Sequence, residues 1–427
     1  MRVARRSTTA LTALVLSLLG AIALPAAPTR ADATRDKEWY LDALGVAEAH
    51  KISQGEGVTV AVVDTGVDAS HPDLTGNVLP GDDLYSDGTR GHKDVVGHGT
   101  RMAGLIAGHG HGPGHRDGIL GIAPKAKILP INIADPHYKR IDPSSLPVAI
   151  TWAVNKGADI INVSVTSTYD EALNSAVEYA WDHNVLVVAG AGNKDTDLLV
   201  GYPAKHPATL AVTATDRNGK HSPATITGPE IDIAAPGADI ISTTSGGTYQ
   251  TGTGSSDSTA IMSGVAALVK AKYPKLSVHD LYGRLIETSR DAGPRGRDDA
   301  FGWGIVDLKQ ALLGQPDGRA SKSSPSATEA APVYEWDLPD RDKGIDWAGL
   351  AMGIALLVVV LALIALVVWL VIRRRRRVRA RHQQPLAPAG ASTGPPDPFG
   401  PPGQSGGPPS ASQPTPGEHS AWRAPTG

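Results

Sequence analysis

VTVAVVD, residues 58–64, is a run of strand length, apolar from Val60 to Val63, that ends on a carboxylate, Asp64, just before Thr65-Gly66. Consecutive apolar residues leave neither face of a strand polar, so it reads as buried on both sides. Four more such runs follow: KILPINI (127–133), DIINVSV (159–165), VLVVAGA (185–191) and TLAVTAT (209–215). Helical spacing occupies 99–108, 144–156 and 171–182 between them, and 256–272 and 277–289 after them. The last of these begins with Ser277 and has Asp280 three residues on, close to a capping box. Strands alternating with helices predict an α/β domain, a parallel sheet covered by helices on both faces. Sites in such sheets lie beyond the carboxyl ends of the strands, so the strand tips are where chemistry is expected.

Four side-chain types stand at those positions. Asp64 ends the first run. His98 sits between glycines in GHGTRMAGLIAG at the start of a helix. Asn193 follows the glycines of VVAGAGN. Ser255 and Ser256 open the helix in TGTGSSDSTAIMSGVAALVKAKYP, residues 251–274. Taken singly, these are ordinary turn and cap residues. Taken together, they are the parts acyl transfer needs. A serine oxygen attacks, an imidazole takes its proton, a buried carboxylate holds the imidazole's tautomer, and donors face the developing oxyanion.

Asp, then His, then Ser is also the chain order of subtilisin, and the local contexts agree. VAVVDTGVD, GHGTRMAG and VVAGAGN resemble subtilase motifs, as do GIAPKAKI (121–128), YPA (202–204), DIAAPG (232–237) and FGWGIVD (301–307). The resemblance implies a subtilisin-like fold over roughly 57–313. It implies a catalytic triad of Asp64, His98 and Ser256, with Asn193 as an oxyanion donor. Ser256 rather than Ser255 takes the nucleophile's place, because subtilases have Gly-Thr-Ser and then a helix glycine, which Gly254-Ser255-Ser256 and Gly264 match. Adjacent helical residues differ by about 100° around the axis, so both serines cannot face His98. Substrate contacts are implied at Ser164, Val165 and Thr166, and at Ala189, Gly190 and Ala191. No cofactor and no metal site is expected, since no carboxylate cluster can be assigned to calcium.

Three departures from the family pattern carry expectations. Asp257, next to the nucleophile, would oppose an oxyanion if its charge faced the site. Ala260-Ile261 replaces a common Pro-His pair and should alter packing rather than chemistry. SVTS (164–167) stands where Ser-Leu-Gly-Gly is usual. Thr166 and Ser167 therefore add side chains where glycines would let a substrate backbone approach an edge strand, and a tight groove with a narrow substrate range is expected. GHGHGPGHRDG (108–118) could bind a metal through His109, His111 and His115, but reads as a flexible loop of solvated histidines.

The 427-residue chain has a formal charge of −3, which implies no partner, and no cysteine, which excludes disulfides and thiolate chemistry. Arg2, Arg5 and Arg6, an apolar stretch and Ala31-Asp32-Ala33 read as a signal peptide over 1–33, with an uncleaved anchor as the alternative. Residues 34–56 form an N-terminal extension with apolar anchors such as Trp39, Tyr40, Leu41 and Leu44. It is expected to stay on the mature chain and pack against the catalytic domain, 57–314. A polar linker, 315–346, leads to an uncharged apolar segment, 347–372, long enough as a helix of ~37 Å to cross a membrane core of ~30 Å. RRRRRVRAR follows, which places that end in the cytoplasm and the catalytic domain outside. The Pro/Gly-rich end of the 373–427 tail reads as disordered. This layout resembles the mycosins, membrane-anchored subtilases associated with type VII secretion in actinobacteria. The resemblance implies a single-pass, cell-membrane serine endopeptidase that processes exported polypeptides, with a type VII membrane complex as partner and no role for nucleic acid. The rival reading is a subtilase-fold structural subunit of such a complex with weak or lost proteolysis.

Overall fold

The computed structural model describes residues 33–319 apart from Asp87, together with Leu366, Trp369 and Arg373, which are helical. The chain divides into two units, Met1–Tyr334 and Glu335–Gly427. In the second, the Arg373 guanidinium lies 4.9 Å from the Trp369 ring centre. The expected signal peptide, most of the linker, and the span and tail apart from those three residues lie outside the described residues. Among the described residues, no helix is long and apolar enough to cross a membrane.

In chain order the first unit contains helices α1 (Trp39–Ala43) and α2 (Val46–Ala49) and strands β1 (Thr59–Asp64) and β2 (Asp82–Asp83). Helix α3 (His98–Ala107), β3 (His109–His111), β4 (Asp117–Leu120), β5 (Lys127–Asn132), β6 (Ala134–Asp135) and β7 (Arg140–Ile141) follow. Next come α4 (Leu146–Asn155), β8 (Ile160–Val163), α5 (Glu171–Asp182), β9 (Leu186–Gly190) and β10 (Thr209–Thr215). The unit ends with β11 (Ile233–Pro236), the hairpin of β12 (Ile240–Thr244) and β13 (Thr248–Gly252), and helices α6 (Ser255–Lys272), α7 (Val278–Glu287) and α8 (Leu308–Leu313).

Seven strands form one sheet in the order β11-β10-β9-β8-β1-β5-β2, every neighbouring pair parallel. Successive side chains of a strand point to opposite faces, and both faces here are dry. Val60 and Val62 pack with Met102 and Leu105 of α3 and with Ile261 and Val265 of α6. Ala61 and Val63 pack with Ile150 and Ala153 of α4 and Leu173 and Val177 of α5. This is why residues 58–64 contain no polar side chain between Thr59 and Asp64. At α7, Ser277 Oγ accepts from Asp280 N at 3.0 Å, the cap its sequence announces.

Two expectations need correction. Residues 164–167 do not belong to an edge strand. They leave the carboxyl end of β8, which lies inside the sheet between β1 and β9. The histidine-rich segment is not a flexible loop either: β3 and β4 pair as an antiparallel hairpin. His111 Nδ1 bonds Asp73 Oδ1 at 2.6 Å, and the same buried carboxylate accepts Ile119 N at 2.8 Å. A buried carboxylate needs donors, and that need orders the segment.

The N-terminal extension clasps this hairpin. Arg35 Nε donates to Gly118 O at 2.9 Å, and Leu120 N donates to the buried Glu38 at 3.1 Å, while Tyr40 Oη donates to the same carboxylate at 2.6 Å. Tyr40, Leu44, Val46 and Ala49 belong to the core cluster that holds α3, α6 and α8. Tyr40 has no solvent contact. Tyr40→Ala should therefore cost about 3–5 kcal/mol, the range for removing a large buried aromatic, read as a lower urea midpoint of the purified protein. A loss under about 1 kcal/mol, typical of a surface change, would show that the extension is not part of the core.

Candidate active site

Asp64, at the carboxyl tip of β1, has no solvent exposure. It accepts Thr65 N at 2.8 Å, and His98 Nδ1 lies 2.8 and 2.9 Å from its two oxygens. A carboxylate there makes Nδ1 the protonated nitrogen and leaves Nε2 free to accept a proton. The imidazole reaches Asp64 because α3 begins against the strand tip. A Cβ on Gly99 would lie 2.1 Å from Gly66 O, so only glycine permits this approach. Asp94, which the sequence reading missed, anchors the same helix end. It accepts Gly97 N at 2.7 Å, Thr100 N at 2.9 Å and Thr65 Oγ1 at 2.9 Å. A carboxylate shortly before a glycine that opens a helix was the available signal.

The two serines part as helical geometry requires. Ser255 is buried, and its Oγ accepts from Gly192 N at 3.2 Å. Ser256 is half-buried and lines a cavity of about 420 Å³ together with His98, Asn193, Ser164, Val165, Thr166 and Gly190. Its Oγ donates to Ser164 O at 3.4 Å, and among the described residues no hydrogen bond joins it to His98. In free enzymes such bonds are often long and close only with substrate. Gly264 lies against Ile122, where a Cβ would come to 2.6 Å. That close packing accounts for a glycine in mid-helix.

Asn193 caps α6 from outside: its Oδ1 accepts Ser255 N at 2.9 Å. This assigns the amide, since the oxygen is engaged by a donor and Nδ2 remains to donate. The sequence places an Asn after β9 but does not reveal that its oxygen serves the helix. Of the six expected substrate contacts, Ser164, Val165, Thr166 and Gly190 line the cavity, whereas the side chains of Ala189 and Ala191 are buried in the core. Thr166 Oγ1 donates to Asp197 Oδ1 at 2.7 Å. Beyond that link lies a second recess of about 830 Å³, lined by Tyr169, Leu198, Leu199 and Tyr202 among others. Ala260 and Ile261 are both buried in the core, so the change from Pro-His affects packing there.

Asp257 does not turn a bare charge toward the cavity. It is buried, and Arg101 Nε donates to its Oδ1 at 2.7 Å. Breaking such a buried pair typically costs about 3–5 kcal/mol, because one charge is left uncompensated. Burial works against the imidazolium of His98, and so does the Arg101 cation. Asp64 and Asp257 outweigh both and hold His98 above its ordinary value. If the neutral imidazole is the base, activity rises with pH through that raised pKa. Asp257→Asn removes one of the anions and leaves Arg101 cationic. The acidic limb of kcat/KM, measured on a peptide ester, should then move to lower pH. A limb that stays in place would show that Asp257 does not act on His98.

The sequence signature of the subtilase family matches residues 55–304. Minor extracellular protease Epr of Bacillus subtilis is 34% identical over 275 residues, which cover 64% of this chain but only 41% of Epr. Mycosin-1 of Mycobacterium tuberculosis is 31% identical over 379 residues, covering 75% of this chain and 83% of mycosin-1. Among solved structures, MycP1, described as a serine protease and an essential component of the type VII (ESX-1) secretion system, superposes with a TM-score of 0.57 at 30% identity. The match covers 67% of this chain and 90% of MycP1.

Proposed function

This chain belongs to the subtilase family of serine endopeptidases, and from that membership we propose that Ser256, His98 and Asp64 carry out peptide-bond hydrolysis. Ser256 Oγ attacks the scissile carbonyl. His98 Nε2 takes the hydroxyl proton and returns it to the leaving nitrogen as the C–N bond breaks, and Asp64 holds the ring in the required tautomer; a water that gives its proton to His98 then cleaves the acyl ester, releasing the acid and restoring the Ser256 hydroxyl. Asn193 Nδ2 and Ser256 N donate to the oxyanion, at the N-terminus of α6 where negative charge is favoured. The observation that carries this reading is the Asp64–His98 pair at 2.8 Å, set in the same cavity as Ser256 and Asn193. Ser256→Ala should abolish labelling by a fluorophosphonate probe, and Ser255→Ala should keep most of it. The reverse pattern would transfer the nucleophile to Ser255. Asn193→Ala should lower turnover by about 10²–10³-fold, the loss expected for one oxyanion donor. Near wild-type turnover would remove Asn193 from that role.

The biological reading extends further. The likeness to mycosin-1 and MycP1 supports a place beside a type VII secretion complex. The apolar segment 347–372 followed by Arg373–Arg377 supports a single-pass anchor with the catalytic domain outside the cell. Protease added to intact cells should release the catalytic domain and leave an epitope on residues 382–427 protected; digestion of that epitope without lysis would invert the topology. The substrate is an exported polypeptide that fits a groove narrowed by the Thr166–Asp197 link. A second reading, a structural subunit of the complex, draws on the placement of the Ser256 hydroxyl against Ser164 O rather than His98. Comparison of exported peptide termini from wild-type and Ser256→Ala strains separates the two. New uncleaved termini support processing, and identical termini with intact export support the subunit.

A further inference from the structure

Arg101 is the one Lys, Arg, Asp or Glu residue of the helix His98–Ala107, and Asp257 stands in the first turn of another. The first lies three residues after His98, almost one helical turn along the same side. The second immediately follows Ser256. Their ion pair therefore joins the helix of the base to the helix of the nucleophile, one step from each. Arg101 is 7% exposed and Asp257 3%, and neither lines the active-site cavity.

The guanidinium is held on three sides. Nε donates to Asp257 Oδ1 at 2.7 Å, one terminal nitrogen to Gln250 O at 2.6 Å and the other to Ile240 O at 2.5 Å. A planar fork with its donors engaged has little freedom to turn, so it dictates where the carboxylate sits. The hairpin of β12 and β13 is in turn fixed to α3. Ser242 Oγ donates to Arg101 O at 2.8 Å and Thr243 Oγ1 to Thr100 O at 2.7 Å. A Cβ on Gly252 would lie 2.8 Å from the guanidinium, so the strand closes directly over it. Buried ion pairs contribute little net stability compared with apolar packing of the same volume. Geometry is what this pair supplies that packing would not.

We propose that Arg101 and Asp257 are positioning residues that set the relation between the His98 imidazole and the Ser256 hydroxyl. The inference rests on the reading of those two residues as base and nucleophile. Loss of the pair slows turnover and leaves substrate binding nearly unchanged, because neither side chain lines the cavity that receives the substrate.

The test uses the full-length protein in detergent and two variants. Arg101→Met with Asp257→Ala removes both charges together and leaves neither unpaired. Arg101→Lys keeps the charge and loses the fork. Thermal unfolding, the fluorophosphonate labelling rate, and kcat and KM on a peptide ester are measured for each. In both variants kcat should fall about tenfold to a hundredfold, the scale for a small misplacement of reacting groups. KM should stay within about threefold of wild type, the signature of an interaction expressed at the transition state. A cooperatively folded variant whose kcat lies within about twofold of wild type would overturn the proposal, since a purely structural pair is replaceable by packing. If the double variant does not fold, Arg101→Lys decides on the same criteria. Wild-type protein that neither labels nor hydrolyses would instead overturn the catalytic reading beneath it.

Discussion

A carboxylate without solvent contact ends the strand at the heart of the sheet, and the rest of the structure answers to it. A carboxyl group buried in that position needs donors around it. Thr65 N supplies one and His98 Nδ1 another, within 2.9 Å. Its depth follows from β1 being covered on both faces. The closeness of His98 follows from a glycine at 99 that lets α3 meet the strand tip. Burial, sheet register and helix approach are thus one constraint expressed at three levels.

A second consequence concerns the helix that carries the serines. Its first turn presents amide groups with no partner inside the helix. Asn193 Oδ1 takes the N–H of Ser255, and Ser255 Oγ accepts from Gly192 N, so of the two serines at the cavity wall it is Ser256 that is half-buried and Ser255 that is buried. The amide that caps the helix thereby has its Nδ2 free to donate, which suits the oxyanion role proposed for it. Ser255 belongs to this arrangement as a scaffold residue, with its oxygen already committed.

How much of this the sequence disclosed depended on the kind of interaction. The five apolar-rich runs and the helices between them were legible because burial on both sheet faces puts consecutive apolar residues into a strand. The order of Asp64, His98, Asn193 and Ser256 was legible because each sits at a strand or helix end marked by glycine. The histidine hairpin was not, because its order comes from Asp73 and from Arg35 and Glu38, far away in the chain. Asp257 was read as a hazard for the same reason. Its partner is 156 residues distant, and only the lone arginine of the helix His98–Ala107 hinted at it. Ala189 and Ala191 were expected at the groove from the family resemblance, and their side chains lie in the core.

A structure of the protein covalently trapped with a small phosphonate probe tests the central claim most directly. The account predicts phosphorus bonded to Ser256 Oγ, with one phosphonyl oxygen about 2.7–3.1 Å from both Asn193 Nδ2 and Ser256 N. His98 Nε2 should lie within hydrogen-bond reach of the adduct while its Nδ1 keeps Asp64. Phosphorus on Ser255, or an oxygen turned away from Asn193, would contradict the account.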